Sequence, residues 1–344
     1  MEFNKTIDQI ISEIDSLVDS GLKWGGCWSS RYNHFWKYHR PDNNVFSLAS
    51  TLFILNQYKN HLSDSQQDTI NNIAKKIIPV YAGYQNKDGR NTYNFYPTKP
   101  SQHFGNGLLM HRFDHFRLPD DIDDTAMVYL SSAIGPVEVK ALKKTLKNHL
   151  SVSSSGLVYD TWFGKNMPHE HDVCALCNLM FLIFSSNIPL ETEDINTLSF
   201  LAENIQHIRT KPYAIARHYG HPALIVYHYA RLMAGFKIEV LEKRKKELVE
   251  ISKNILLAEK NPFFRKITEI TLLKLGEPLK IKGFDYDDCE AYTFIGAPLA
   301  PYSFFGKLAF KKPFLIFYQS RIHYLAINLE HILLSSNIAG KQTF

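Results

Sequence analysis

Cysteine is scarce in this chain: four in 344 residues, too few for a disulfide-stapled scaffold and in keeping with a reducing compartment. Cys174 and Cys177 form a C-x-x-C, but inside the apolar run 173–184 core thiols are expected rather than a redox or zinc pair. No run of about 18 uncharged apolar residues occurs, so no transmembrane helix is expected. The polar, acidic first residues lack the layout of a secretory leader, and a cytoplasmic protein is expected, with peripheral membrane contact left open as a way to collect substrate. There is no GxGxxG and no Walker loop. Charge of one sign is also thinly spread. The net charge is +5, and Lys243-Arg244-Lys245-Lys246 lies in a helical pattern as a solvated face, so no nucleic-acid partner is expected.

Aromatic residues are plentiful: 18 Tyr, 23 Phe and 4 Trp make 13% of the chain, within an apolar share of 45%. A core of that kind can wall a cavity with π faces, which suits a lipid-like or cationic guest. The stretch Leu118-Pro119-Asp120-Asp121-Ile122-Asp123-Asp124-Thr125-Ala126-Met127 places four carboxylates within five residues, directly before a helical apolar pattern. Such carboxylates can cap free amides and face the positive end of the helix dipole. Asp121, Asp123 and Asp124 crowd one turn, however, so they cannot all ionise independently and at least one pKa should rise. A protonated carboxyl beside ionised neighbours is equipped to deliver a proton.

The length allows one large domain or two ordinary ones. An apolar stripe at helical spacing predicts a helix over 3–19, closed by Gly21 and followed by an aromatic loop from Trp24 to Tyr38. Further helices are expected at 45–58, 64–81, 121–133, 136–149, 173–184, 191–207, 222–233, 237–257, 262–275 and 314–334, with a short one around 285–297. Long ordered loops are expected at about 84–119 and 276–314. Helices that follow polar or aromatic loops start near 44, 121, 169, 221, 262 and 315, a period of roughly 50 residues after the first step. The expected fold class is therefore all-α: a single-domain (α/α)6 toroid over 1–344, built from about six helical hairpins. In such a ring the loops before inner helices share one end, which would gather Asn43, Asp123, His171, His218 and His221 at a cavity mouth.

Asp121-Ile122-Asp123-Asp124-Thr125-Ala126-Met127 resembles the DxDD(T/S)A signature of class II terpene cyclases, the squalene–hopene and diterpene cyclases among them. Gly156-Leu157-Val158-Tyr159-Asp160-Thr161-Trp162 and Trp24-Gly25-Gly26-Cys27-Trp28 are similar, more weakly, to the Gly-x-Trp repeats of that superfamily. The resemblance implies an isomerase that protonates a terminal double bond or epoxide of a linear isoprenoid. Asp123 would be the proton donor, with Asp121 and Asp124 as its supports. An alkene is a weak base, so the acid needs a cationic or hydrogen-bonding partner, for which His169, His171 and His218 are candidates. Trp24, Trp28, Trp36, Trp162, Phe163, Tyr219 and Tyr227 are candidate carbocation walls. No cofactor is required for protonation. If the substrate is a prenyl diphosphate, Mg²⁺ could accompany it, and Arg112, Arg117, Lys211 and Arg217 are candidate cations for the head group. The acidic run Asp285–Glu290 is expected to be a helix start rather than a metal site. Related cyclases have a second barrel, so this chain would close its cavity with the 84–119 and 276–314 segments or as a homodimer. Two other readings of the residues stand: a carbohydrate-active toroid pairing Asp123 with Asp172 or Asp288, and a prenyl-transferring toroid with zinc held by Asp172, Cys174, Cys177 and His169 or His171.

Overall fold

A computed structural model of the chain describes residues 2–23, 25–33, 35–102, 107, 118–164, 167, 169–279, 292–297, 299 and 303–340. Helix α1 (Glu2–Lys23) buries the stripe Ile7, Ile10, Ile11, Ile14 and Val18. Strands β1 (Ser29–Asn33) and β2 (Tyr38–Asp42) form a hairpin turned through Lys37 at φ 50°. Next come α2 (Val45–Tyr58), α3 (Asp64–Ile77), α4 (Ile122–Ser131) and α5 (Pro136–Leu146). A second hairpin, β3 (Leu150–Ser153) and β4 (Gly156–Tyr159), is followed by α6 (Val173–Ser185), α7 (Thr192–Asn204), α8 (Pro212–Ile215) and α9 (Pro222–Gly235). The described remainder holds α10 (Glu239–Glu242), α11 (Lys245–Ala258), α12 (Pro262–Lys274), β5 (Tyr292–Gly296), β6 (Ile316–Gln319) and α13 (Arg321–Gly340).

Six helices touch in cyclic order: α2 packs on α4, α4 on α6, α6 on α9, α9 on α12, α12 on α13, and α13 back on α2. The reason lies in their composition. Every residue of α6 from Val173 to Ile183 and of α9 from Ala223 to Met233 is buried, and a helix that is apolar nearly all round must be enclosed. By contrast, α3 buries only Gln66, Ile70, Ile73 and Ile77, and it packs outside on α1 and α2. Five of the ring helices start at a side-chain cap: Asn44 for α2, Asp121 for α4, Asp172 for α6, His221 for α9 and Asn261 for α12.

The all-α expectation needs correction. The chain is mostly helical, yet it contains an antiparallel sheet in the order β2-β1-β6-β5, besides the β3–β4 hairpin. The 29–42 stretch is this sheet's hairpin rather than an irregular aromatic loop. Residues 316–319, read as the start of the last helix, pair Tyr32 with Phe317 and Arg31 with Tyr318 instead. Ile-Phe-Tyr is β-branched and aromatic, which suits a pleated surface, and the Asn33 side chain anchors the segment by donating to the Leu315 carbonyl at 2.6 Å. Residues 292–296, expected to end a short helix, form β5 along β6, with Gly296 opposite Ile316. The expected helix over 237–257 is divided into α10 and α11.

Candidate active site

The start of α4 is held between two extended segments. Ile122 N–H donates to Thr161 O at 2.9 Å, Phe163 N–H to Asp120 O at 3.0 Å, and Asp121 N–H to Tyr93 O at 3.4 Å. The Thr125 hydroxyl accepts from Tyr93 N–H at 3.0 Å. Residues 84–102 therefore brace the aspartate turn from one side and the extended segment 160–163 braces it from the other. Asp121 caps the helix, its Oδ1 accepting the amides of Asp123 and Asp124 at 2.8 Å each.

The three carboxyls are 5%, 8% and 2% exposed in chain order. Burial pushes the Asp121 pKa up to about 7, with the Asp123 charge adding to it against the bonds from Asp124. Asp124 is driven far above the ordinary carboxyl range by burial and by the Asp121 charge. The pair thus shares a proton. Asp121 already takes two amides, so it is the carboxylate and Asp124 the protonated partner.

Asp123 faces a different environment. Its Oδ1 accepts from Asn178 Nδ2 at 2.5 Å, and its Oδ2 accepts from the Tyr219 hydroxyl at 2.5 Å. Asn178 Oδ1 in turn accepts from the Arg231 guanidinium. Arginine can only donate, so it fixes which end of the Asn178 amide faces Asp123. An N–H therefore always points at Oδ1, which leaves Oδ2, opposite the rotatable Tyr219 hydroxyl, as the oxygen able to carry a proton. Burial raises the Asp123 pKa, while Tyr219, Asn178 and the Arg231 charge pull it back. Tyr219, Asn178 and Arg231 are thus all placed to favour the ionised form of a carboxyl that burial disfavours.

Around this carboxyl stand aromatic rings. Tyr219 meets His228 at 4.7 Å, Phe294 at 5.5 Å and Phe46 at 5.9 Å between centroids. Phe294 on β5 meets Tyr318 at 5.2 Å and Phe95 at 5.4 Å, and His218 stacks on it at 5.5 Å. Trp162 lies edge-on to His218 at 5.4 Å. Arg231 sits over Phe53 at 5.1 Å and over Tyr227 at 5.5 Å. Tyr227 donates to Glu330 at 2.7 Å, a carboxylate that Lys274 and Tyr58 also hold.

Of the residues expected at the site, Asp121, Asp123, Asp124, Tyr219, His218, Trp162 and Tyr227 fall in this connected cluster. Others do not. Trp28 packs against α1, its indole N–H on Val18 O at 3.3 Å. Phe163 meets His149 edge-on at 5.3 Å. His171 bonds Ser151 at 2.7 Å and His169 bonds Asp160 at 2.8 Å, so both anchor the β3–β4 hairpin. Lys211 is exposed. Arg217 pairs with Glu170 at 3.2 Å, which also accepts from Trp162. Trp24, Arg112, Arg117 and the Asp285–Glu290 run lie outside the described residues. The cation serving Asp123 is Arg231 through Asn178, not a histidine; burial lowers the His218 pKa and leaves its ring neutral, 3.7 Å from Glu170. Asp172, the proposed second carboxylate of a hydrolase or a zinc ligand, accepts the amides of Cys174, Ala175 and His218. Burial and the charges of Glu170 and Asp123 lift it to about 8, while burial first of all raises the thiols of Cys174 and Cys177. The sequence reading missed Asn178 and Arg231. Their signal was there: each is a strongly polar residue inside an otherwise apolar helix, and such a residue must have a partner.

No protein-family model matches the chain, and no curated protein matches its sequence. Its fold has a solved counterpart. A variant of the type II terpene cyclase MstE from Scytonema, in complex with its substrate geranylgeranyl dihydroxybenzoate, superposes with a TM-score of 0.58 at 10% identity. The match covers 98% of this chain and 99% of that one. The chain therefore has a terpene-cyclase-like fold, shared with a cyclase of matching extent.

Proposed function

We propose that this chain is a class II terpene cyclase, a single-domain (α/α)6 toroid whose inner ring is α2, α4, α6, α9, α12 and α13. The observation that carries the proposal is the buried Asp123 carboxyl, held by Tyr219 and by Asn178–Arg231 inside an aromatic shell. The likeness in fold to a type II cyclase supports it.

In this reading Asp123 Oδ2–H transfers its proton to the CH carbon of the terminal double bond of a linear isoprenoid, the π pair forming the new C–H bond. A tertiary cation forms on the dimethyl carbon beside it, and Asp123 is left as a carboxylate. Tyr219 and Asn178 donate more strongly to the developing charge, which lowers the barrier. The cation is then quenched in turn by the remaining double bonds, with a C–C bond made at each closure, and π faces such as Phe294, Phe46 and Trp162 stabilise it without trapping it. Loss of a proton or capture of water ends the sequence, and solvent reprotonates Asp123. Asp121 and Asp124 hold the turn and keep one charge beside the acid.

The head group follows from a panel of substrates. A diphosphate would call on Mg²⁺ and on cations such as Arg112 and Arg117. An aromatic head, as in the substrate of the structural neighbour, would not need the metal. Purified protein is to be incubated with prenyl diphosphates, neutral polyprenes and prenylated aromatic acids, with products read by mass spectrometry. Cyclic isomers of one or more substrates are expected. Turnover of none of them by folded protein would overturn the reading.

A further inference from the structure

We propose that the tip of the β1–β2 hairpin and the adjoining 303–314 segment form a docking face for an anionic lipid bilayer. Phe35 and Trp36 stand 64% and 63% exposed at the hairpin tip, and Phe304 and Leu308 are 91% and 57% exposed. Large apolar side chains exposed together, rather than singly, mark an interaction surface. The two segments are fastened side by side. Trp36 Nε1–H donates to Pro313 O at 2.7 Å, and Asn33 Nδ2 donates to Lys312 O at 3.0 Å and Pro313 O at 3.1 Å. Phe314 faces Phe305 at 6.3 Å, which continues the aromatic surface to Phe304.

The charge pattern selects the occupant. Residues 29–41 and 303–319 contain no Asp or Glu. Lys37, Arg40, Lys311 and Lys312 are exposed in the same segments as the apolar side chains. Aromatic residues that sink to the headgroup level beside basic residues that meet anionic headgroups are the ingredients of interfacial binding. The face also joins the candidate site through one sheet: β1 carries the hairpin tip, β6 pairs with β1 and β5, and Phe294 on β5 touches Tyr219. That an isoprenoid enters from the bilayer along this side rests on the proposed cyclase reading; the docking itself does not.

The test is co-sedimentation of the full chain with vesicles of phosphatidylcholine alone and with phosphatidylserine added. Binding is expected to rise with phosphatidylserine and to fall with added salt. Lys311→Glu with Lys312→Glu should weaken it by about tenfold or more. Phe304→Ser with Leu308→Ser should do the same, and should leave the thermal melt unchanged. Phe35→Ser with Trp36→Ser also removes the bond to Pro313, so it serves as a supporting variant only. Asp123→Asn should bind vesicles as the parent does, which separates failure of docking from failure of the cyclase reading. The proposal is overturned if the parent sediments with no vesicle, if the variants bind like the parent, or if the parent self-associates and these substitutions dissolve the dimer.

Discussion

At the scale of the residue, the proposed chemistry turns on how Asp123 differs from its neighbours. Asp121 and Asp124 share one proton in a closed pair, whereas Asp123 is held by neutral donors backed by Arg231. In the proposed reaction Asp123 works only while protonated, and burial raises its pKa, so turnover should be full at low pH and fall as pH rises through that raised value. Tyr219→Phe or Arg231→Met removes a group that favours the carboxylate. Each should move the falling limb to higher pH and cut the maximal rate by roughly 10–100-fold, the worth of a hydrogen bond to a charge. A merely structural role would lower activity without moving the limb. Asp172 makes a separate prediction about stability. Its folded pKa is lifted from an ordinary 3.8 to about 8, so between those values the folded state holds the extra proton. Stability must then fall as pH rises across that window, by up to about 1.4 kcal/mol per pH unit. Asp172→Asn keeps a capping oxygen but cannot titrate. Urea melts between about pH 5 and pH 8 should show the variant gaining on the parent as pH rises.

At the scale of the element, the start of α4 is the piece most tightly specified. Thr125 belongs to the motif for a structural reason, as the acceptor for Tyr93 N–H. Thr125→Val keeps the shape and strands that donor, so it should cost about 1–3 kcal/mol in a denaturation curve. Gly220 matters equally for Tyr219, because a Cβ there would lie 1.9 Å from the Tyr213 ring. Gly220→Ala should destabilise by about 1–3 kcal/mol and slow turnover by displacing the tyrosine. Much of this was legible in the sequence. The carboxylate cluster and the polar caps at Asn44, Asp121, Asp172 and His221 lie where helix starts were expected. Of the partners of Asp123, Tyr219 was among the expected residues; Asn178 and Arg231 were marked only by their polarity inside runs that otherwise read as core, and which group they serve shows only in three dimensions. The place of Trp28 was not legible, since its burial depends on Gly21 of α1: a Cβ there would come within 2.2 Å of its indole nitrogen, a contact visible only in three dimensions.

At the scale of the whole molecule, the helices whose starts were expected near 44, 121, 169, 221, 262 and 315 correspond to α2, α4, α6, α9, α12 and α13, which touch in cyclic order. A roughly 50-residue rhythm of apolar helices is readable because each must be enclosed on all sides. The sheet was not readable, because its strands are short and come from both ends of the chain. The most direct test of the central claim is cyclisation of an accepted isoprenoid in D₂O by the parent and by Asp123→Asn. The account expects product one mass unit heavier, with deuterium on the ring methylene beside the gem-dimethyl carbon and the head group retained, and no product from the folded variant. Unlabelled product, loss of the head group, or an active Asp123→Asn would contradict it.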